Sequence, residues 1–257
     1  MIDVHGLLAK GSSSSSRVGI ALPSRGYSAL RKQFKQAGSE VEIIRYSDAS
    51  ALLAALSDAE IDAAVRGVLD SSEVLAEIKR SFSMKSVMRC AVMEDSRGRE
   101  FLLAPVGIDE GTSARSRVEI AEAAAKYFSR CGWNVSCGIL SRGRAGDASR
   151  GENIRSSLGD GEKIARELRS AGLEATHFEI MIEDAIGKSD LVLAPDGVAG
   201  NLIFRTLYFL GAGRAYGAPV VNLESVFVDT SRAKSEFSDS VLLAAGLAET
   251  RTAVRRA

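Results

Sequence analysis

Ser189-Asp190-Leu191-Val192-Leu193-Ala194-Pro195-Asp196-Gly197-Val198-Ala199-Gly200-Asn201 is the stretch on which the fold turns. Leu191 to Ala194 form a short apolar run that reads as a buried strand. The run enters Asp-Gly-x-x-Gly-Asn, and a helical pattern begins at once. Open α/β sheets bind ligands at the carboxyl ends of their strands, and the N–H groups at a helix start favour anions. Gly197 and Gly200 carry no Cβ to hold a ligand away from the backbone. Asp196 fits two roles, electrostatic capping of the helix or contact with a ligand. Leu202, Ile203, Phe204, Leu207, Phe209 and Leu210 make the helix apolar on nearly every side, which predicts that it is buried deep in the protein.

The same alternation extends on both sides. Val18 to Leu22 reads as a strand, and Tyr27, Leu30, Phe34 and Ala37 recur at helical spacing until Gly38 stops them. Val41 to Ile44 is a second strand, Leu52, Leu53 and Leu56 mark a helix, and Ala63 to Val65 is a third strand. Ser71 or Ser72 caps a helix with Val74, Leu75, Ile78 and Phe82 on its apolar face. Ser86 to Met93 and Phe101 to Val106 pair about a turn at Arg97-Gly98. Thr112 or Ser113, with Asp109 and Glu110 before them, caps a long helix carrying Val118, Ala121, Ala125 and Phe128. Asn134 to Leu140 is a strand leading into a basic loop, Ser141-Arg142-Gly143-Arg144. A helix over 162–171 ends at Gly172, Pro219 to Leu223 is a strand, and Asp239 to Ala245 is a helix. Such alternation with short loops predicts an α/β protein, a mostly parallel sheet covered by helices on both faces. Residues 1–16, ending in Ser12 to Ser16, read as a flexible segment.

The chain has 257 residues, enough for one large domain or two lobes. Its 33 Lys and Arg balance 33 Asp and Glu, so no net field draws it to nucleic acid or an anionic membrane. Any anion site must be a local cluster. No uncharged apolar stretch approaches the ~18 to 20 residues of a spanning helix, and the N-terminus lacks the pattern of a secretory signal. Cys90, Cys131 and Cys137 are odd in number and without CxxC spacing, which argues against disulfides and zinc and for a reducing, cytoplasmic setting. His5 and His177 belong to no metal-ligand pattern, and no metal is expected.

Several segments, in order, resemble the phosphate acetyl/butyryl transferase (phosphotransacetylase) family. The strand followed by Asp196-Gly197-x-x-Gly200-Asn201 resembles the family's glycine-asparagine signature. Ile61 to Gly67, followed by Ser71-Ser72-Glu73-Val74-Leu75, is similar to its ADxxVRGxxxSTxxVL stretch. Gly138-Ile139-Leu140-Ser141 resembles its phosphate-side loop, and Asp229 to Ser235 resembles its DLSRGxS. The resemblance covers roughly residues 18–246. Arg205 stands where that family has lysine, Glu224 to Val228 lengthens the segment before Ser231, and Asp239 is one residue out of step. The short pattern is most similar to the methanogen-associated MtxX-type methyltransferase-related branch.

The resemblance implies two three-layer αβα lobes of the phosphotransacetylase and isocitrate dehydrogenase kind, one over 17–88 plus 224–257 and one over 89–223. It implies an inter-lobe cleft where a short acyl group moves between phosphate and coenzyme A, with coenzyme A as substrate and no tightly bound cofactor. Ser231 and Arg232 are then the transition-state and phosphate contacts, and Asp239 the base for the thiol. Arg66, Gly67, Ser141, Arg142, Asp196, Gly197, Gly200 and Asn201 line the phosphate-bearing substrate. Methyl transfer in methanogenesis and inert ligand binding are the alternatives. The partners implied are a small phosphate-bearing molecule and a second copy in a homodimer, with neither nucleic acid nor membrane.

Overall fold

The computed structural model describes residues 2–231 and 234–256, with backbone alone from residue 252. The elements run α1 (Val4–Ser12), β1 (Arg17–Ala21), α2 (Ser24–Gln36), β2 (Glu42–Tyr46), α3 (Ala49–Ser57), β3 (Ala63–Val65) and α4 (Ser71–Ser81). Next come β4 (Ala91–Glu94), β5 (Glu100–Ala104), α5 (Ala114–Ser129), β6 (Cys137–Ile139), a 3-10 turn (Ala145–Arg150) and α6 (Glu152–Ser170). β7 (Ala175–His177), α7 (Ile182–Lys188), β8 (Leu191–Leu193), α8 (Gly197–Phe209), β9 (Arg214–Pro219), β10 (Val226–Asp229) and α9 (Ser238–Arg256) complete the order. The chain forms two compact units.

The first unit comprises Asp3–Val87 and the chain from Tyr216 onward. Its strand order is β2-β1-β3-β10-β9, parallel throughout except for the antiparallel β10–β9 pair. The sequence predicts that the lobe regains the chain at 224. It does so at Tyr216, because Ala218 and Pro219 pair with Asp229 and Val228. Of the strand expected over 219–223, Pro219 ends β9 and the Val220 N–H still donates to the Phe227 carbonyl at 3.0 Å, and the chain then turns toward β10. Glu224 to Val228, which looks like added length, supplies most of β10, a strand buried throughout and parallel to β3. Leu52, Leu53, Leu56, Ile61, Val74, Ile78 and Phe227 form the core.

Residues 1–16 are not a flexible segment in their helical part. Asp3 caps α1 by accepting from the Gly6 N–H at 2.7 Å, and Val4, Leu7, Leu8 and Gly11 are buried at helical spacing. α1 packs on α9, where a Cβ on Gly11 would collide with the Leu242 carbonyl, and one on Gly246 with that of Leu7. Asp70, not Ser71 or Ser72, caps α4 by accepting from the Ser72 and Glu73 N–H groups.

The second unit comprises Met88–Ala215, with Ile2. Its order is β4-β5-β8-β6-β7, parallel except for the β4–β5 hairpin, which turns at Gly98 with φ +82°. β6 and β8 are buried at every residue. Successive strand side chains point to opposite faces, so both faces of these strands are covered. Trp133 is buried and stacks on Phe128 at 5.2 Å. α6 starts ten residues before the expected 162, and β7 and α7 lie where no element is expected. α8 departs most. Only Gly197 and Gly200 of it are buried, whereas Val198, Leu202 and Phe209 are exposed, so the apolar helix is not deep in the protein. Among the described residues no helix is long and apolar enough to cross a membrane.

Candidate functional site

In the first unit the parallel strands β1, β3 and β10 end together at Ala21, Val65 and Asp229. Arg66 follows β3 and is buried. Its Nε donates to Asp229, and its Nη1 donates to the Leu69 carbonyl at 2.7 Å. The charge expected to meet a ligand is therefore matched by Asp229 within the unit. Gly67 has φ +64°, and a Cβ there would overlap the Ala21 carbonyl, so the backbone requires glycine. Thr230 Oγ donates to the Gly67 carbonyl at 3.1 Å and locks the two strand ends together. Ser231 follows directly and is half-buried, and Asp239 lies half-buried in the first turn of α9. Arg232 lies outside the described residues.

In the second unit β5, β8 and β6 are adjacent and parallel, with Ala104, Leu193 and Ile139 in register at their carboxyl ends. Here the structure brings together Ser141, Arg142, Asp196, Gly197, Gly200 and Asn201. Asp196 caps α8 by accepting from the Ala199 N–H at 2.8 Å, and the other oxygen of its carboxylate accepts from the Arg142 guanidinium. The backbone that approaches the two glycines is the chain's own. A Cβ at Gly197 would strike the Gly107 carbonyl, and one at Gly200 that of Pro105. Asn201 Nδ2 donates to the Val106 carbonyl at 3.0 Å, and the Gly197 N–H to that of Glu110 at 3.0 Å. The glycine-asparagine signature thus clamps the loop after β5 against the start of α8.

That loop is also held from below. Glu110 is buried and accepts from Arg89 Nε at 2.6 Å and from the Arg89 N–H at 3.2 Å. Burial raises the Glu110 carboxyl above its usual range, and Arg89 opposes the rise. Neither Glu110 nor Asp109 caps α5. Ser113 does, in a reciprocal pair with Ser116.

Arg117, which no motif singled out, lies on the buried face of α5 with its side chain 3% exposed. Its Nη2 donates to Asp160 of α6 at 3.1 Å, while Nε and Nη1 are buried without a hydrogen-bond partner among the described residues. Burial lowers the guanidinium below its ordinary range; Asp160 and Asp196 oppose that, and Arg142 adds to it. Asp196 and Arg142 therefore lie close enough to bear on its charge. A buried guanidinium with two donors unmet calls for an acceptor. The signal lay in the spacing, since Ala114, Arg117, Val118 and Ala121 recur as i, i+3, i+4, i+7.

Ser141 begins the loop after β6 and is buried. Its Oγ lies 3.0 Å from His177 Nε2, and His177 Nδ1 lies 2.9 Å from Glu162. Cys90 and Cys137 are buried thiols; burial raises both, Cys137 to about 12, so neither is a thiolate nucleophile at neutral pH.

No protein-family model matches the chain. A candidate methyltransferase, mtx subunit X, of Methanosarcina barkeri is 39% identical over 219 residues, 85% of this chain and 81% of that protein. The chain belongs to the mtx subunit X family of methyltransferase-related proteins. An uncharacterized methyltransferase of Methanopyrus kandleri is 41% identical to it over 217 residues, 82% of the chain and 84% of that protein. The fold is that of the phosphotransacetylases. A branched-chain phosphotransacylase from Enterococcus faecalis V583 superposes with TM-score 0.68 at 18% identity, over 92% of this chain and 99% of that one. A 4-hydroxythreonine-4-phosphate dehydrogenase from Klebsiella pneumoniae follows with TM-score 0.56 at 11% identity, over 95% and 87%. The chain therefore shares its α/β architecture with a branched-chain phosphotransacylase and a 4-hydroxythreonine-4-phosphate dehydrogenase.

Proposed function

We propose that the protein is a group-transfer enzyme whose anionic substrate docks at the carboxyl ends of β5, β8 and β6. Arg117 is the observation that carries this. Its Nε and Nη1 donors are unmet, and the oxygens of phosphate or carboxylate are acceptors that a guanidinium takes. Arg142 and the N-terminus of α8 share the Asp196 carboxylate, and Arg142 and Asp196 both bear on the Arg117 charge. The Asp196 carboxylate, held on Arg142, occupies the kind of position that a ligand oxyanion would take. Group transfer leaves negative charge on a leaving group, and a buried fixed cation stabilises that charge.

Methyl transfer linked to methanogenesis is the leading reaction, supported by relatives that carry the name methyltransferase at 39% and 41% identity. Acyl transfer between phosphate and coenzyme A is the second, favoured by the likeness of fold to a branched-chain phosphotransacylase across 99% of that chain. In that case Ser231, Arg232 and Asp239 would serve as the catalytic set. The test offers the protein methyl-corrinoid or methyl-pterin donors, and separately an acyl phosphate with coenzyme A. Methyl turnover is expected, and Arg117→Met should lower it by about 10² while circular dichroism stays native. Acyl turnover alone would move the assignment to the second reaction. A variant as active as the parent would remove Arg117 from the site.

A further inference from the structure

Glu162, His177 and Ser141 come from three separate places in the second unit: α6, the end of β7 and the end of β6. Nothing in their sequence spacing connects them, yet they form one hydrogen-bonded line. Room for the ring is made by Gly161, where a Cβ would collide with His177 Nε2. The His177 side chain is 5% exposed, and the far end of the line, Glu162, is 70% exposed. A proton can therefore enter or leave at Glu162 while the imidazole stays sheltered. At the other end, Ser141 immediately precedes Arg142, whose guanidinium holds Asp196 at the start of α8.

The hydrogen count decides what this line does. Glu162 as carboxylate can only accept, so Nδ1 carries a hydrogen in either charge state of the ring. With the ring neutral, Nε2 is an acceptor and takes the Ser141 hydroxyl hydrogen, leaving Oγ with lone pairs alone. With the ring protonated, Nε2–H donates to Oγ, and the Ser141 hydrogen turns away. It then faces the Gly143 carbonyl, 3.2 Å from Oγ, or an anion oxygen. One proton on His177 thus converts Ser141 from an acceptor into a donor.

We propose that Glu162, His177 and Ser141 form a proton-controlled switch that sets whether the strand-end site donates to or accepts from its ligand. The proposal rests on the anion site described under Proposed function. In the donor state Ser141 favours a bound oxyanion. In the acceptor state it favours a hydroxyl or thiol that must give up its proton. His177 is a positioning residue here, acting through Ser141. The charged residues of α6 are Glu152, Arg155, Asp160, Glu162, Lys163, Arg166, Glu167 and Arg169, and among the described residues only Glu162 of them bonds the ring. Arg169 donates to the Ala175 carbonyl on β7. Cys137 of β6 is a neutral thiol, Arg142 lies one residue beyond Ser141, and Glu179 two residues beyond His177.

Inorganic sulfate is the probe, because it remains a dianion where phosphate itself titrates. Calorimetry should find sulfate bound about tenfold more tightly at pH 5.5 than at pH 8.5, the worth of one added hydrogen bond to a charged acceptor. Ser141→Ala should flatten that dependence although His177 remains, and His177→Gln should flatten it as well. A Ser141→Ala protein that keeps the full tenfold dependence would reduce His177 to a simple charge and overturn the switch. Equal affinity at both pH values in the parent protein would overturn it too, leaving the anion site intact. No sulfate binding at either pH would overturn the anion site and the switch together.

Discussion

Glu110 and Arg89 are buried together beneath the loop that carries the chain from β5 to α5, and each depends on the other. A buried ion pair is a weak source of stability, but removing one partner leaves an unmatched charge out of water. Arg89→Ala should therefore cost about 3 kcal/mol at pH 7. With Arg89 gone, burial acts on the Glu110 carboxyl with little opposition and raises it further. A raised carboxyl binds its proton more tightly folded than unfolded, so stability returns as pH falls through the raised value toward the unfolded one. Urea unfolding at pH 7, 6 and 5 should find the gap between parent and variant narrowing on acidification. A gap that holds constant would mean that Glu110 is not the group left exposed to burial. The sequence led to a different role for Glu110, since an acid ahead of a helix reads as a cap, and its partner lies 21 residues back. Arg117 was legible in principle from helical periodicity. His177 was not, because its partners are 15 and 36 residues away.

Elements with long, repeated apolar spacing were legible, and short or glycine-rich ones were not. α2, α3, α5 and β8 follow from their patterns. β7 is three residues at the edge of its sheet, Ala-Thr-His, with Thr176 exposed and pairing only to β6 among the described strands. α1 was hidden by the serines that follow it, although Val4, Leu7, Leu8 and Gly11 already spell a buried helical face. Its packing gives a directional prediction. Gly246→Val places side-chain atoms against the Leu7 carbonyl where α1 crosses α9, and should lower stability by about 2–3 kcal/mol. Gly26→Ala, near the start of α2 with open space around it, should instead raise stability by about 0.5–1 kcal/mol. Chemical denaturation of both variants tests the pair. Loss in the second, or indifference in the first, would contradict the helix contacts described.

At the scale of the molecule, charge is balanced and apolar exposure is not. Of the seven large hydrophobic side chains exposed among the described residues, four are Val198, Leu202, Phe209 and Leu210, on or just beyond α8. A fifth, Ile108, sits in the loop whose Gly107 abuts the start of that helix. Val198, Leu202, Arg205 and Phe209 recur as i, i+4, i+7, i+11, so they form one stripe, and Arg205 lies over the Phe209 ring at 5.1 Å. A patch of this kind marks a contact surface. A membrane-surface helix would carry rows of Lys and Arg on its polar face, whereas α8 has Arg205 alone. A net charge of zero sets no electrostatic barrier between identical chains. We propose a second copy, meeting stripe to stripe about a two-fold axis, as that partner. Sedimentation velocity over a dilution series should find a dimer. Leu202→Glu, at a position already 61% exposed, should give a monomer with an unchanged circular dichroism spectrum. Parent protein that sediments as a monomer at every concentration would refute self-association through α8. A variant that stays dimeric would move the contact to another face.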